Sequence, residues 1–425
     1  MRRRRACALV AALGVVAGCQ PGTPATGFGD GGTVVLAGAA GAVSAVPTDD
    51  GGVVVVRGDG ELVKLAEDGS VVAGWGGAVP VPCAERDEVD RDGRGRALLA
   101  CTSTAGDGAR VTALVRYTAA GRLDRRFVDA GVVRLAGQVE GAAAVPLPGG
   151  RVLAMGGRPA VAGAPPVLVT TVLDRRGAVV STEERELDLV DIPPEFRAGT
   201  AVTVVAEPLA DGAVAAVHAS TLLTVTDRFR PTDPFLVVVD RAGAEVARLD
   251  GPSLHGGPMS GSSAVVSLAE VAPGRIAVLE DWYELSGPHP SVRTDETVHV
   301  YGPDGTEDTT FTPVGPPTAE APEGAAFTAR TLAATDGGRH VLVGGARQEP
   351  DGPRGGVARY ATATGALALR FGRGGMATVG PADVEDLDVH GDAGPIDVTG
   401  PAAVPAGPTT AAVVTRLWGG PTAPA

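Results

Sequence analysis

The sequence predicts an all-β chain folded as a seven-bladed β-propeller. A glycine-containing turn followed by a short apolar run recurs seven times along 425 residues. A second apolar run ending in another glycine turn follows each copy. No stretch sustains a 3.6-residue hydrophobic period, and Gly and Pro punctuate the chain too often for long helices.

The first anchor reads Asp50-Gly51-Gly52 before VVVV, Asp92-Gly93-Arg94-Gly95-Arg96 before ALLA, and Gly149-Gly150-Arg151 before VLAMGG. It continues as Asp211-Gly212 before AVAAV, Pro273-Gly274-Arg275 before IAVLE, and Asp336-Gly337-Gly338-Arg339-His340 before VLVGG. A weaker seventh copy is Asp392-Ala393-Gly394-Pro395 before IDVTG. The second anchor ends at Gly69, Gly121, Gly177, Gly243, Gly305, Gly365 and Gly420, and successive anchors lie 42 to 66 residues apart. Asp-Gly and Gly-Gly supply the positive φ of tight hairpin turns, and strands of four to eight residues repeated in this way read as blades. The nearly continuous apolar character of the inner runs suits strands covered on both faces by neighbouring blades.

GFGDGGTVVLAG at residues 27–38 has the form of an outermost strand with no inner strands before it. The carboxyl end supplies three strands, Val384–His390, Ile396–Gly400 and Ala411–Leu417, with no outer strand after them. The expectation is that the first strand completes the last blade and so hides two sheet edges. Labelling the strands of a blade a to d from axis to rim, the tight a–b and c–d turns share one face, and the chain enters there. The longer b–c connections (219–234, 281–296, 345–355) and inserted d–a segments such as 183–198 share the opposite face, where binding is expected.

The units resemble the delta-sixty repeat, a bacterial β-propeller family, through Arg116-Tyr117 leading to Gly121-Arg122-Leu123-Asp124 and Phe127, and through Arg359-Tyr360, Gly365, Leu367 and Phe371-Gly372. Blades three to five match loosely. The resemblance implies a fold and says little of activity.

MRRRRACALVAALGVVAGC has a basic start, an apolar run from Ala6 to Ala17 that is too short to span a bilayer, and then Gly18-Cys19. Val16-Ala17-Gly18-Cys19 resembles the lipobox of bacterial lipoproteins. The resemblance implies a signal peptide over residues 1–18, a diacylglycerol on Cys19, and localisation on the extracytoplasmic face of the cell membrane. Residues 19–26 are expected to be a tether, 27–420 the propeller and 421–425 a tail. Two acyl chains would anchor stably, at about 0.8 kcal/mol per buried CH₂.

Formal charge is −14, and removing Arg2 to Arg5 leaves 32 basic against 50 acidic residues. That balance argues against nucleic acid or anionic lipid as an electrostatic partner. The chain has no Asn, one Lys (Lys64) and three Ile, so much of its Ala, Gly, Pro and Arg excess reads as coding bias.

Cys83 and Cys101 flank the turn at Asp92-Gly93 almost symmetrically. Outside the cytoplasm they would form a disulfide across strands a and b, or else pack as two buried thiols. The six His form no ligand pair, and His299 and His340 fall within strand patterns. No Gly-x-Ser-x-Gly elbow is present. The acidic stretch 383–392 reads as a solvated strand edge, with hard oxygen ligands that could suit calcium. The segment Asp281, Trp282, Tyr283, Glu284 to His289 joins aromatic rings to carboxylates and an imidazole, and it is the candidate binding loop.

With no catalytic constellation, the expected function is a lipid-anchored binding or scaffold module. It would hold a protein, peptide or glycan on its outward face, without nucleic acid and without a cofactor. The alternative is a propeller-type enzyme, such as a calcium-dependent lactonase or a glycan lyase or hydrolase, with its site at the central channel. Strands a are expected to send few polar side chains to that axis, and charged side chains converging at its top, the long-loop end, would favour the enzyme.

Overall fold

The computed structural model describes residues 21–419 apart from 37–41, 58–60, 79–82, 93, 105–109, 136–139, 161–163, 188–200, 224–227, 232–234, 251–260, 285–291, 313–326, 350–351, 391–393 and 402–410. The segment expected to be a signal peptide, Cys19 and the carboxyl tail therefore lie outside the described residues.

The chain is a seven-bladed β-propeller. Strand β1 (Thr33–Leu36) comes first. Blade 1 is β2 (Ala42–Pro47), β3 (Val53–Arg57), β4 (Glu61–Leu65) and β5 (Gly77–Ala78). Blade 2 is β6 (Cys83–Arg91), β7 (Ala97–Thr104), β8 (Arg110–Tyr117) and β9 (Val132–Leu135). Blade 3 is β10 (Glu140–Leu147), β11 (Arg151–Arg158), β12 (Val167–Leu173) and β13 (Val179–Glu186). Blade 4 is β14 (Ala201–Leu209), β15 (Gly212–Leu223), β17 (Phe235–Asp240) and β18 (Glu245–Asp250), with β16 (Arg228–Pro231) pairing on the far end of β15. Blade 5 has three strands, β19 (Gly261–Ala272), β20 (Arg275–Glu284) and β21 (Val292–Tyr301). Blade 6 is β22 (Phe327–Thr335), β23 (His340–Glu349), β24 (Gly352–Ala361) and β25 (Met376–Thr378). Blade 7 is β26 (Asp386–Val389), β27 (Ile396–Pro401) and β28 (Ala412–Leu417), completed by β1. All pairings within these sheets are antiparallel, and a four-residue turn at Val128–Gly131 is the α-helix among the described residues.

The ring closes as the terminal motifs imply. Thr33 pairs with Thr415 and Leu36 with Ala412. The amino-terminal segment is bonded further back than a free tether would be. Gly22 N–H donates to Trp418 O at 2.8 Å, Ala25 N–H to Arg416 O at 2.8 Å, and Gly372 N–H to Pro21 O at 2.7 Å. From Pro21 onward the chain is part of the propeller body, because Pro24 bridges the end of the β28 edge ahead of β1.

Seven apolar clusters fill the fold, and each draws on two adjacent blades. The closing cluster joins Phe28, Leu36, Ala412 and Val414 of blade 7 to Ala45, Val53, Val55, Val63 and Leu65 of blade 1. Burying each Val or Leu side chain contributes roughly 1.5–3 kcal/mol. The turn glycines serve this packing as well as the turn itself. Gly121 has φ +74°, and a Cβ there would lie 2.6 Å from Gly76 N of the preceding blade.

A buried arginine near the end of strand c fastens one blade to the next on the turn face. Arg416 donates from Nε to Asp397 Oδ1 at 2.7 Å and from Nη2 to Oδ2 at 2.8 Å. Its Nη1 reaches Gly51 O of blade 1 at 2.7 Å, and its guanidinium lies 4.3 Å from the Phe28 ring centroid. Arg116 repeats the arrangement with Asp124, Arg175 O of blade 3, and Phe127 at 3.9 Å. Arg359 does so with Asp336, Gly419 O of blade 7, and Phe371 at 5.7 Å. The Arg and Phe-Gly positions of the repeat are thus the two halves of an interblade fastening.

Replacing Arg416 with Ala removes two of the bonds to buried Asp397, leaving it to His390 Nε2 at 2.5 Å, and frees Gly51 O. A loss of about 3–5 kcal/mol is expected in urea unfolding, against less than about 1 kcal/mol for the exposed Arg373→Ala.

Candidate functional site

The innermost strands are locally irregular, and that irregularity shapes the axis. Ladder register shifts by a bulge between Ala42 and Ser44, between Val265 and Ser267, and between Ala329 and Thr331. Bulges leave N–H groups unpaired in the ladder. Beyond the bulges the strands return to regular register, pair on one side only, and turn alternate N–H groups away from strand b, where a side chain of the preceding blade takes some of them up. Ala45 N–H donates to Asp386 Oδ2 at 2.7 Å, Val89 N–H to Ser44 Oγ at 3.3 Å, and Leu332 N–H to Ser267 Oγ at 3.0 Å. These bonds run round the channel wall and give equivalent positions in different blades.

One residue beyond that ring, three blades place a carboxyl: Asp90 follows Val89 in β6, Asp388 follows Leu387 in β26, and Glu207 follows Ala206 in β14. Leu387, Ala206 and Val89 are buried between blades, so alternation along the strand turns the carboxyls to the axis. They line a channel of about 420 Å³ together with Asp386 and Glu270, and no Lys, Arg or His lines it. The expectation that strands a send few polar groups inward is therefore wrong. Asp386 and Asp388 belong to an innermost strand, and not to the solvated edge read from the acidic run.

These carboxyls are not equivalent. Glu270 spends its oxygens on Gly274 N–H at 2.9 Å and Ala210 N–H at 2.8 Å, holding two a–b turns. Asp386 accepts from Ser44 Oγ at 3.0 Å, Ala45 N–H and Leu387 N–H at 2.9 Å. Asp388 Oδ2 has no hydrogen-bond partner, and Glu207 makes no hydrogen bond among the described residues. Burial raises Asp90 to about 7, with repulsion from Asp92 and Asp386 adding to it. Burial also pushes Glu207 and Asp388 well above the usual carboxylate range, and repulsion from Asp90 and Asp386 acts on both. Glu385, at the rim, is raised to about 7 by partial burial and by Asp383. The channel therefore holds a proton-sharing set of carboxyls close to neutrality. Asp90 and Asp388 each stand one residue before the end of their strand, and Glu207 two. The set sits nearer the tight-turn end of the axis than the long-loop end.

The other candidate residues are placed differently from expectation. Asp281, Trp282, Tyr283 and Glu284 lie in β20, paired with β19 and β21, and not in a loop. Asp281 is buried; the side chains of Trp282, Tyr283 and Glu284, and all of His289, lie outside the described residues. The b–c hairpin is simply longer, because β-branched and aromatic residues continue the ladder to Glu284. Glu183–Glu186 likewise extend β13. Cys83 stands opposite Ser103, and Cys101 opposite Arg86, since two bulges in β6 shift the register. The two cysteines are diagonal neighbours and not directly opposed, and the Cys83 side chain lies outside the described residues. His299 is buried with Nδ1 2.8 Å from Glu307 Oε1, as its strand position implies. Among the described residues no three His, Cys, Asp or Glu side chains are grouped to hold one metal ion.

No family model and no curated protein matches the chain. Among solved structures, the polysaccharide lyase Uly1 is similar over 96% of this chain and 94% of its own, at 12% identity and TM-score 0.49. The alpha-L-arabinanase of Penicillium chrysogenum is similar over 79% of this chain and 95% of its own, at 8% identity and TM-score 0.45. The β-propeller domain of the Trilobed protease from Pyrococcus furiosus, described as having an open velcro topology, is similar over 79% and 82%, at 12% identity and TM-score 0.39. None of these likenesses assigns an activity to this chain.

The raised carboxyls fix a pH dependence. A carboxyl raised to about 7 in the folded state holds a proton that the unfolded chain gives up near 4, so folding takes up protons between those values. Stability is then full at pH 4 and falls as pH rises towards 7, as far as this group acts. Thermal unfolding of Asp90→Asn is expected to show a shallower loss between pH 5 and 8 than the unsubstituted protein, with a higher midpoint at pH 8.

Proposed function

We propose that the protein is a lipid-anchored extracytoplasmic propeller that performs general acid–base chemistry in its acidic central channel, on a small hydroxyl-rich substrate of the glycan or lactone class. One observation carries this reading. Asp90, Glu207 and Asp388 come from three blades to one level of a solvent-reached channel that no cation lines; Asp388 Oδ2 has no hydrogen-bond partner there, and Asp90 Oδ1 accepts only from the adjacent Arg91 N–H among the described residues. Purely structural carboxyls would be expected to spend their oxygens, as Glu270 does. A channel of about 420 Å³ has the size of a small-ligand site.

In this reading Asp388 and Glu207, held protonated by burial and mutual repulsion, donate a proton to a departing oxygen. Asp90, ionising near neutrality, accepts one from water or a substrate hydroxyl. Asp386 is a positioning group, fixed by Ser44 and Ala45. The lipobox-like Val16–Cys19 and the docking of Pro21 on the turn face support attachment to the outer face of a membrane. The same compartment favours a Cys83–Cys101 disulfide.

Purified protein offered a panel of oligosaccharides and sugar lactones, followed by NMR, is expected to convert one of them. Asp388→Asn and Glu207→Gln should lower turnover by roughly 10²–10⁴-fold while circular dichroism is unchanged. Binding without conversion, lost in the same variants, would return the protein to the binding-module class. Neither binding nor conversion would remove the channel from consideration.

For the cysteines, Cys83 and Cys101 should resist alkylation until a reductant is added, and reduction should lower stability by about 3 kcal/mol on loop-closure arithmetic. Two freely reacting thiols in the unreduced protein would exclude the bridge.

A further inference from the structure

The strongest charge asymmetry of the molecule lies away from the channel, on the turn face of blades 2 and 3. A concavity of about 1700 Å³ opens there between the a–b turn of blade 2, its c–d turn and the c–d turn of blade 3. Eight arginines and a single acid, Asp124, supply its charged lining. Arg116 and Arg96 are bound to Asp124 and Asp92 and belong to the interblade fastening. The remaining six, Arg94, Arg122, Arg125, Arg126, Arg175 and Arg176, are exposed. No ion pair is formed by any of these six side chains among the described residues. In a chain of net −14 this is a segregated cationic surface.

We propose that this arginine face docks on the anionic phospholipid headgroups of the membrane to which the protein is tethered. The inference rests on the lipid-anchor reading above. The turn face is the face where the chain enters, because Pro21 and Gly22 are bonded to Gly372 and to Trp418 at the turn-face end of blades 6 and 7. With the chain fixed to the body at Pro21, Cys19 can stand only about 7 Å away, two Cα steps. That is within the Debye length of about 8 Å at physiological ionic strength. An anchored body therefore keeps the blade 6 and 7 side of its turn face inside the screening distance of the headgroups, and tilting about that point brings the arginines of blades 2 and 3 down to them. A face carrying six unpaired arginines there is attracted to anionic lipid, whereas the overall negative charge would repel it. Each arginine brought to such a surface contributes about fivefold to partitioning.

Arginine suits the partner. Its planar fork binds phosphate oxygens in pairs, and it stays charged at every working pH. The size of the concavity exceeds that of a small-ligand pocket, which fits a surface of several headgroups better than one soluble anion.

The test uses the full chain carrying Cys19→Ser, which removes the acyl anchor, in sedimentation with vesicles. Vesicles of phosphatidylcholine alone and of phosphatidylcholine mixed with the anionic phosphatidylglycerol are compared. Binding to the anionic vesicles is expected to exceed that to the neutral ones by at least about tenfold, and to fall when salt is raised towards 0.5 M. Arg125→Glu with Arg126→Glu, and separately Arg175→Glu with Arg176→Glu, should each reduce it by at least about tenfold while circular dichroism is unchanged. Equal binding to both vesicles, or no effect of either charge reversal, would overturn the proposal. Retention on an anionic polysaccharide with none on the vesicles would overturn it in favour of a polymer partner. The anchor is read separately, by the mass of the amino-terminal peptide and by detergent partitioning of the unsubstituted chain. An unacylated Cys19 defeats the anchor reading whatever the vesicles show.

Discussion

The ring depends on the buried guanidinium that ends strand c. A blade is a small twisted sheet with two apolar faces, and burial alone would let it slide against its neighbour. The guanidinium of Arg416 removes that freedom, because it bonds Asp397 within its own blade and Gly51 O in the next, while Phe28 covers its face. The contact is directional where the surrounding Val and Leu packing is not. At the closing interface it also decides whether the ends of the chain meet, since Arg416 lies in β28, the strand on which β1 pairs. The same residue types at Arg116 and Arg359 make the closing joint like those between blades 2 and 3 and between blades 6 and 7.

A second ring of bonds lies nearer the axis and sets what the channel can hold. Strands a pair on one side only, and their free inner-edge N–H groups at Ala45, Val89 and Leu332 are accepted by Asp386, Ser44 and Ser267 of the preceding blade. Two of these acceptors are neutral hydroxyls, and the third is a carboxylate. Fixing the wall in this way leaves the next side chain along the strand without a structural duty. Where that side chain is Val46, Val145 or Ala333 the blades simply pack. Where it is Asp90, Glu207 or Asp388 the fold bears the cost of bringing like charges together. Repulsion and burial raise all three, so the set stays partly protonated and avoids carrying its full negative charge.

The architecture was legible because it is repetitive and local. Gly69, Gly121 and Gly177 mark c–d turns wherever they occur, and Arg-Tyr with Phe-Gly marks the fastening. The closure at residues 27–38 could be read because a strand was missing at one end and in excess at the other. The channel was not legible. Asp90, Glu207 and Asp388 lie in three distant stretches with no shared motif, and only the ring makes them neighbours. Bulges also defeat simple alternation, which is why Cys83 was set opposite Cys101 when the register gives it Ser103. Trp282 and Tyr283 were read as loop because their hairpin is longer than a regular blade needs.

The arginine face shows the limit of arguing from totals. Net charge governs long-range behaviour in dilute salt, but a body held within about 8 Å of a surface is governed by the charges on the side it presents. Here the carboxylates are divided between the axis, where they share protons, and turn positions such as Asp174, whose oxygen is bound to Arg176 and Ala178 N–H. The exposed arginines of blades 2 and 3 stand on turns that the fold builds for its own reasons. Arg122 and Arg126 flank Asp124, and Arg175 offers its carbonyl to Arg116. The backbone of these turns is committed to holding blades together, which fixes where each arginine leaves the surface. A cationic surface is thereby carried on an ordered backbone, so only the side chains have conformational entropy to lose when an anionic surface meets it.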